Sequence, residues 1–436
     1  MGELSKDDLL RSWKEIAAYL GVDVRTCYRW EDDRGMPVHR AEAGERKSPV
    51  FAYKNELDAW FGETFKNSHP MDQARGSRLK LRWALGGGAF LIAAGVLLYV
   101  LVLRHGPPAD FHIEGSMLIV VDKHDHELWR KDTKAEDLRP ESFYRGNFQV
   151  MHKEQSGILP SLVIKDINGD GDTEVVFALK REKDQTGEGD IFCWDRRGTK
   201  LWKFHPNRLL ECGRKVFSPD YRISGFYCRD IDGDGKLEIF VKAFQAPDWP
   251  CLLAVLDSSG KMIGEFWNAG YLTDLSFWDI NGDGREELIV CGVNNEYRGG
   301  CLMVFDPRHI SGASPQSGEF FCKGLGPGSM LYYITTPYTE VSRAHGDRVD
   351  GLREVDVTGN AWIRSMAGNG LIYEFDFGLR CIQASWGNSF AMSYDELRRS
   401  GAVTSELGRA YSDELRDGIR YFDGTAWTAV PTPVKR

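Results

Sequence analysis

Most of the short motifs that announce an enzyme are missing from this 436-residue chain. It has no phosphate-cradling glycine loop, no HExxH helix, no nucleophile elbow and no kinase or cyclase segment, so the chemistries those motifs carry are excluded and a non-enzyme is expected. Basic charge is scarce too. Residues 1–82 hold 15 Lys/Arg against 14 Asp/Glu, while the rest holds 40 against 50. The net charges, +1 and −10, leave the N-terminal part as the only one whose balance tolerates an anionic polymer. Cysteines number nine, and Cys27 alone precedes residue 83. The eight beyond suit an oxidising compartment, but Cys193 and Cys291 sit in apolar strand-like runs, so disulfides and buried thiols both stay open. With 42% hydrophobic residues the chain is not mostly disordered, and its length allows two or three domains.

Long apolar runs come down to one, Trp83 to Leu103, twenty-one residues without a charge. As a helix it would be roughly 30 Å long, the thickness of a bilayer core. Arg75, Arg78, Lys80 and Arg82 flank it on one side and Arg104 on the other. The positive-inside rule predicts a single-pass inner-membrane protein with its N-terminus in the cytoplasm and its C-terminus outside. The expected layout is therefore a head over 1–66, a polar linker over 67–82, a transmembrane helix over 83–103 and an outer domain over 106–436.

In the head, Ser12 to Glu31 reads as two short helices around a turn at Gly21, with Asp23 capping the second. Cys27 and Trp30 recur at i and i+3 and face inward, which leaves Arg25, Thr26, Tyr28 and Arg29 outward. Two arginines, a hydroxyl and an aromatic suit groove edges and phosphates. A turn and strand at 35–38, a charged loop at 43–48, a strand at 49–53 and an amphipathic helix at 55–65 follow. The segments SWKEIAAYLG, RTCYRWE, GMPVHR and AYKNELDAWF resemble the MerR-like or excisionase-like winged helix-turn-helix family. That resemblance implies double-stranded DNA as partner, with Arg25, Thr26 and Arg29 in the recognition helix and Arg40, Arg46 and Lys47 on or near the wing. Glu31, Asp32 and Asp33 dilute the positive charge, so two heads on paired half-sites, a homodimer, are expected.

Beyond residue 106 apolar residues alternate between Gly and Asp punctuation, and one nine-residue loop recurs three times. Its copies run from Asp166 to Glu174, Asp230 to Glu238 and Asp279 to Glu287. Oxygen side chains stand at positions 1, 3, 5 and 9: Asp166, Asn168, Asp170 and Glu174; Asp230, Asp232, Asp234 and Glu238; Asp279, Asn281, Asp283 and Glu287. Position 7, held by Asp172, Lys236 and Arg285, would donate its backbone carbonyl, and a glycine at position 6 allows the bend. So many oxygens suit a hard cation, and Ca2+ is the expected cofactor. The second loop, with four carboxylates, is expected to bind it most tightly. His124-Asp-His126 reads as ordinary surface at a hairpin turn.

Each loop lies between apolar strands and is followed by a hairpin ending in Asp195, Asp257 or Asp306, at offsets of 29, 27 and 27 from the first loop aspartate. Four short strands per unit is the content of a propeller blade. These segments resemble FG-GAP or VCBS-type repeats, also found in integrin alpha chains. The hairpin ending at Asp376 has only a degenerate loop near Asp350, where no metal is expected. The hairpin ending at Asp122 reads as half a blade, to be completed by strands from Arg420 to Val430 after a helical stretch at 393–416.

The fold class expected is thus multidomain: a small α-rich winged helix-turn-helix, one transmembrane helix, and an all-β propeller with a helical C-terminal insertion. The function expected is a membrane-anchored one-component transcription regulator whose outer propeller senses an unknown ligand or protein. The alternative is a cell-surface binding or adhesion propeller tethered to a cytoplasmic partner through its head.

Overall fold

Ser12 opens the first helix by accepting the Glu15 backbone N–H, while the Glu15 carboxylate accepts the N–H of Arg11, a reciprocal cap written as S-x-x-E in the sequence. In this computed structural model the described residues are 8–40, 49–66, 106–146, 159–182, 189–245, 249–358 and 362–435. They belong to two compact units, Met1–Val96 and Leu97–Arg436.

In the first unit α1 (Trp13–Leu20) stops at Gly21, whose φ of 68° is left-handed backbone that glycine adopts without strain. The α2 helix (Val24–Arg34) starts on Asp23, which accepts the N–H of Thr26, and ends at Gly35. His39–Arg40 then pairs with Val50–Tyr53, whose far end pairs with Leu9–Leu10 in a three-stranded sheet. The chain continues into α3 (Lys54–Lys66). Ile16, Ala17, Cys27, Ala52 and Leu57 form the core, with Trp30 and Trp60 packed against it. The Leu9–Leu10 strand is too short to show a period in sequence.

The second unit is a succession of antiparallel sheets. The first has strands Asp110–Glu114, Met117–Val121 and Glu127–Asp132. The second has Leu162–Lys165, Glu174–Ala178, Ile191–Trp194 and Lys200–Phe204. The third has Arg222–Arg229, Glu238–Phe244, Cys251–Leu256 and Met262–Asn268, with Ser311–Ala313 added in parallel. The fourth has Leu272–Trp278, Glu287–Asn294, Gly299–Phe305 and Tyr332–Thr335. The fifth has Leu352–Thr358, Trp362–Ala367, Leu371–Asp376 and Cys381–Trp386. Apolar side chains fill the space between successive sheets: Val120 with Phe177, Val176 with Ile239, Phe240 with Val290, Ile289 with Ile363. Inner strands such as Glu174–Ala178 are therefore buried on both faces, which is why they read as unbroken apolar runs. Four short helices, α4 (Glu141–Arg145), α5 (Glu340–His345), α6 (Asn388–Arg399) and α7 (Arg409–Asp417), decorate the sheets.

The expected fold class needs correction. The described residues are mostly β, 39% strand against 19% helix, with seven helices and no sheet closed into a barrel. The first unit is not simply α-rich, because Leu9–Leu10 gives its wing a third strand. The longest helix among the described residues, α3, has 13 residues, about 20 Å at the helical rise and short of a bilayer core of about 30 Å. Among the described residues no helix is long and apolar enough to cross a membrane, and this overturns the single-pass inner-membrane localisation. The stretch 83–103 on which it rested, and the linker 67–82, lie outside the described residues. The C-terminal strands do not complete the first hairpin either. Arg420–Phe422 pairs with Tyr332–Thr335 on the edge of the fourth sheet, followed by Trp427–Thr428. The first sheet takes its third strand from Asp110–Glu114 instead. Tyr421 explains the choice: it is buried, and its hydroxyl donates to the Leu379 carbonyl of the fifth sheet.

Candidate functional site

The three acidic loops have nearly the same internal bonding. In the second, the two carboxylate oxygens of Asp230 accept the N–H groups of Gly233 and Gly235 at 2.7 and 3.1 Å. Asp232 accepts from Asp234, and Asp234 from Lys236. The first loop repeats this with Asp166 on Gly169 and Gly171, Asn168 on Asp170, and Asp170 on Asp172. The third repeats it with Asp279 on Gly282 and Gly284, Asn281 on Asp283, and Asp283 on Arg285. Short oxygen side chains that bond the backbone two or three residues on are what curls the chain so tightly. The turn needs glycine twice, at positions 4 and 6. The φ angles are 75° and 86° in the first loop, 79° and 85° in the second, 74° and 84° in the third. Position 4 was missed in sequence, although all three copies carry glycine there.

Position 9 opens the second strand of each sheet and turns back under the loop. Glu174, Glu238 and Glu287 are buried and accept the N–H of Ile167, Ile231 and Ile280. Burial raises all three carboxyls above their ordinary value, and nearby aspartates of the same loop raise them further. A buried carboxylate held among others lacks positive charge. In the second loop Asp230, Asp232 and Glu238 each bring an oxygen to within 4.8 Å of the others, so this donor set fits a hard cation taking six to eight oxygen ligands. In the first and third loops an asparagine oxygen stands in for one carboxylate. At position 7 only the backbone was expected to serve, and the side chains go elsewhere: Asp172 pairs with Arg196, and Lys236 lies 3.7 Å from Asp234.

Neighbouring loops touch. The Leu237 N–H donates to the Ile167 carbonyl at 2.8 Å, and a Cβ on Gly169 would sit 2.9 Å from the Gly235 carbonyl. Arg229 binds Glu286, linking the second loop's strand to the third loop. Near Asp350, where a degenerate fourth loop was expected, the geometry differs: the buried carboxylate accepts from Thr339, Ser342 and Asn369. His124 and His126 flank a turn whose backbone N–H groups bind Asp122.

In the first unit Arg25, Tyr28 and Arg29 are exposed on α2, with Cys27 buried behind them. Tyr28 packs against Trp13 with the rings tilted by 46° and their centroids 4.4 Å apart. Two other expected DNA contacts are engaged within the chain: Thr26 donates its hydroxyl to Asp23, and Arg40 pairs with Glu31. Arg46 and Lys47 lie outside the described residues.

Residues 166–241 match the FG-GAP-like repeat family, a stretch that holds the first two loops and the last three strands of the second sheet. With its succession of blade-like sheets, the second unit is β-propeller-like. No curated protein matches the chain. Solved structures similar to it include a Bacteroides caccae protein of unknown function, at 9% identity over 65% of this chain and 72% of that one, with a TM-score of 0.25. BamB from Moraxella catarrhalis is 13% identical over 63% and 71%, with a TM-score of 0.25. A quinohemoprotein alcohol dehydrogenase from Pseudomonas putida is 11% identical over 64% of this chain and 41% of its own, with a TM-score of 0.33.

Proposed function

We propose that the protein is a DNA-binding transcription regulator whose second unit is a calcium-holding, ligand-receiving FG-GAP-type domain. The observation that supports the regulator reading is the exposed face of α2. Arg25, Tyr28 and Arg29 project together from a helix anchored through Cys27 and entered by a tight turn from α1. Helices so joined can lay the second across a major groove, where arginines reach phosphates and base edges. Calcium at the three loops would neutralise the buried glutamates and lock neighbouring loops together. Its role there is structural, and at roughly millimolar calcium such sites would be largely filled.

Capture of genomic DNA fragments by the full-length protein tests the regulator reading. Sequence-selective, salt-sensitive capture is expected, weakened at least about tenfold by joint Arg25→Ala and Arg29→Ala substitution. With so few cations per head, the bound protein is expected to carry two copies per site. If no fragment is enriched at low salt, the regulator reading fails and the first unit is a protein-docking module.

A further inference from the structure

At the other end of the sheets from the acidic loops, four separate connections converge on a cleft of about 520 Å³. The placement follows from topology. In an up-and-down sheet the turns joining strands one to two and three to four share one end, and the turn joining two to three lies at the other. The acidic loops are all one-to-two turns. Trp249 lies in the two-to-three connection of the third sheet, Arg298 in that of the fourth, and Tyr271 and Arg348 just before the first strands of the fourth and fifth. Lys215 and Phe320 complete the walls.

Trp249 and Phe320 are half-buried with ring centroids 4.9 Å apart, which leaves a partly apolar aromatic face. Lys215 Nζ stands 5.5 Å over the Trp249 ring. Arg298 adopts φ 56°, left-handed backbone that is costly for a residue with a Cβ. Its guanidinium is held in place, stacked 4.4 Å over the Tyr338 ring and donating to the Tyr338 hydroxyl and the Arg348 carbonyl, both at 3.1 Å. Among the described residues Lys215, Arg298 and Arg348 form no ion pair, and Glu319 is the only acidic residue lining the cleft. Three cations against one anion stand out in a part of the chain whose net charge is −10 (40 Lys/Arg against 50 Asp/Glu after residue 82). The walls are pre-set by the Cys212–Cys322 disulfide, which ties the hairpin of strands Leu210–Cys212 and Lys215–Phe217 to the helical turn Gly318–Phe320.

We propose that this cleft binds a carboxylate-bearing ring compound, with the ring against Trp249 and Phe320 and the carboxylate toward Arg298 and Arg348. Guanidinium groups match a carboxylate in charge and geometry, and a tryptophan face accepts a sugar or aromatic ring while excluding water from one side. The assignment deepens the ligand-receiving part of the proposed function and is independent of its DNA-binding part.

The test is calorimetric titration of the full-length protein, followed in parallel by tryptophan fluorescence. The probes are digalacturonate and indole-3-acetate, each beside its neutral counterpart, galactobiose and indole-3-acetamide. At least one acid should bind with Kd below about 1 mM, and its neutral counterpart at least about tenfold more weakly. Which acid binds separates a sugar ligand from an aromatic one. Arg348→Ala should weaken binding about tenfold; only the backbone of Arg348 supports the fold here, so the variant should remain folded, and Lys215→Ala provides a second reading. Absence of binding by both acids at about 1 mM, equal binding of acid and neutral forms, or affinity unchanged in both variants would overturn the assignment. Each result is read without DNA, so failure here leaves the regulator reading standing.

Discussion

Asp195, Asp257, Asp306 and Asp376 each end a strand and turn the chain back by accepting backbone N–H groups from the next few residues. Asp122 and Asp423 do the same at the two ends of the second unit. Asp306 is the most heavily bonded of the repeat set, taking the Arg308 guanidinium at 2.8 Å twice and the His309 ring at 3.1 Å. Although burial pushes its carboxyl up, these bonds outweigh it and hold the group at about 2. A carboxyl depressed on folding stabilises the protein above its unfolded value near 3.8 and loses that contribution as pH falls toward 2. Asp306→Asn is therefore expected to cost about 2 kcal/mol at neutral pH. Urea unfolding of both proteins from pH 7 down to pH 2 checks this, since the two curves should converge in acid. The recurrence of these aspartates was legible in sequence as a strand-end marker, and their turn-forming role follows from side-chain length. For Thr26 and Arg40 the sequence said less: spacing placed Thr26 on an outward face and the family resemblance placed Arg40 near the wing, but neither told of Asp23 and Glu31 beside them.

Elements meet through glycine where a neighbouring sheet comes close. A Cβ on Gly198, in the hairpin of the second sheet, would lie 2.8 Å from the Trp129 ring of the first, and one on Gly260, in the hairpin of the third, 2.5 Å from the Trp202 ring of the second. Both glycines also hold left-handed φ angles, 77° and 81°. Tryptophan on an outer strand and glycine on the next hairpin thus make a repeated sheet-to-sheet contact. Gly198→Ala is expected to lower stability by about 1–3 kcal/mol through the added strain and clash. Gly171→Ala, with a similar φ but nothing within 4 Å, should cost less. Thermal unfolding of the two variants side by side checks the order. Four-strand units could be read from alternating apolar runs and turn residues. The three-stranded first sheet could not, because Asp110–Glu114 is only five residues long and carries too little apolar alternation of its own to mark a strand.

For the whole molecule the proposed calcium sites set the scale of stability. An ion that binds only the folded chain adds about 2.7 kcal/mol per site at a hundredfold excess over Kd. Chelation of the full-length protein should lower its melting temperature, and calcium, not magnesium, should restore it, because magnesium resists so large an oxygen cage. Asp230→Ala should abolish the highest-affinity step in a calcium titration. If that step survives, the second loop is not the tightest site. Calorimetry with and without the ion measures both.

The loops, their glycines and their hairpin aspartates were determined by sequence alone. Their bonds close within nine residues, and side-chain chemistry at fixed spacing is enough to specify them. Other features were decided only in three dimensions. The strand Arg420–Phe422 joined the fourth sheet and left the first, Cys212 found Cys322 across 110 residues while the other described cysteines stayed buried thiols, and Trp249, Arg298 and Arg348 came to line one cleft. Each of these depends on which sheet edge and which connection lie nearest after the apolar faces have stacked, and spacing along the chain carries no record of that.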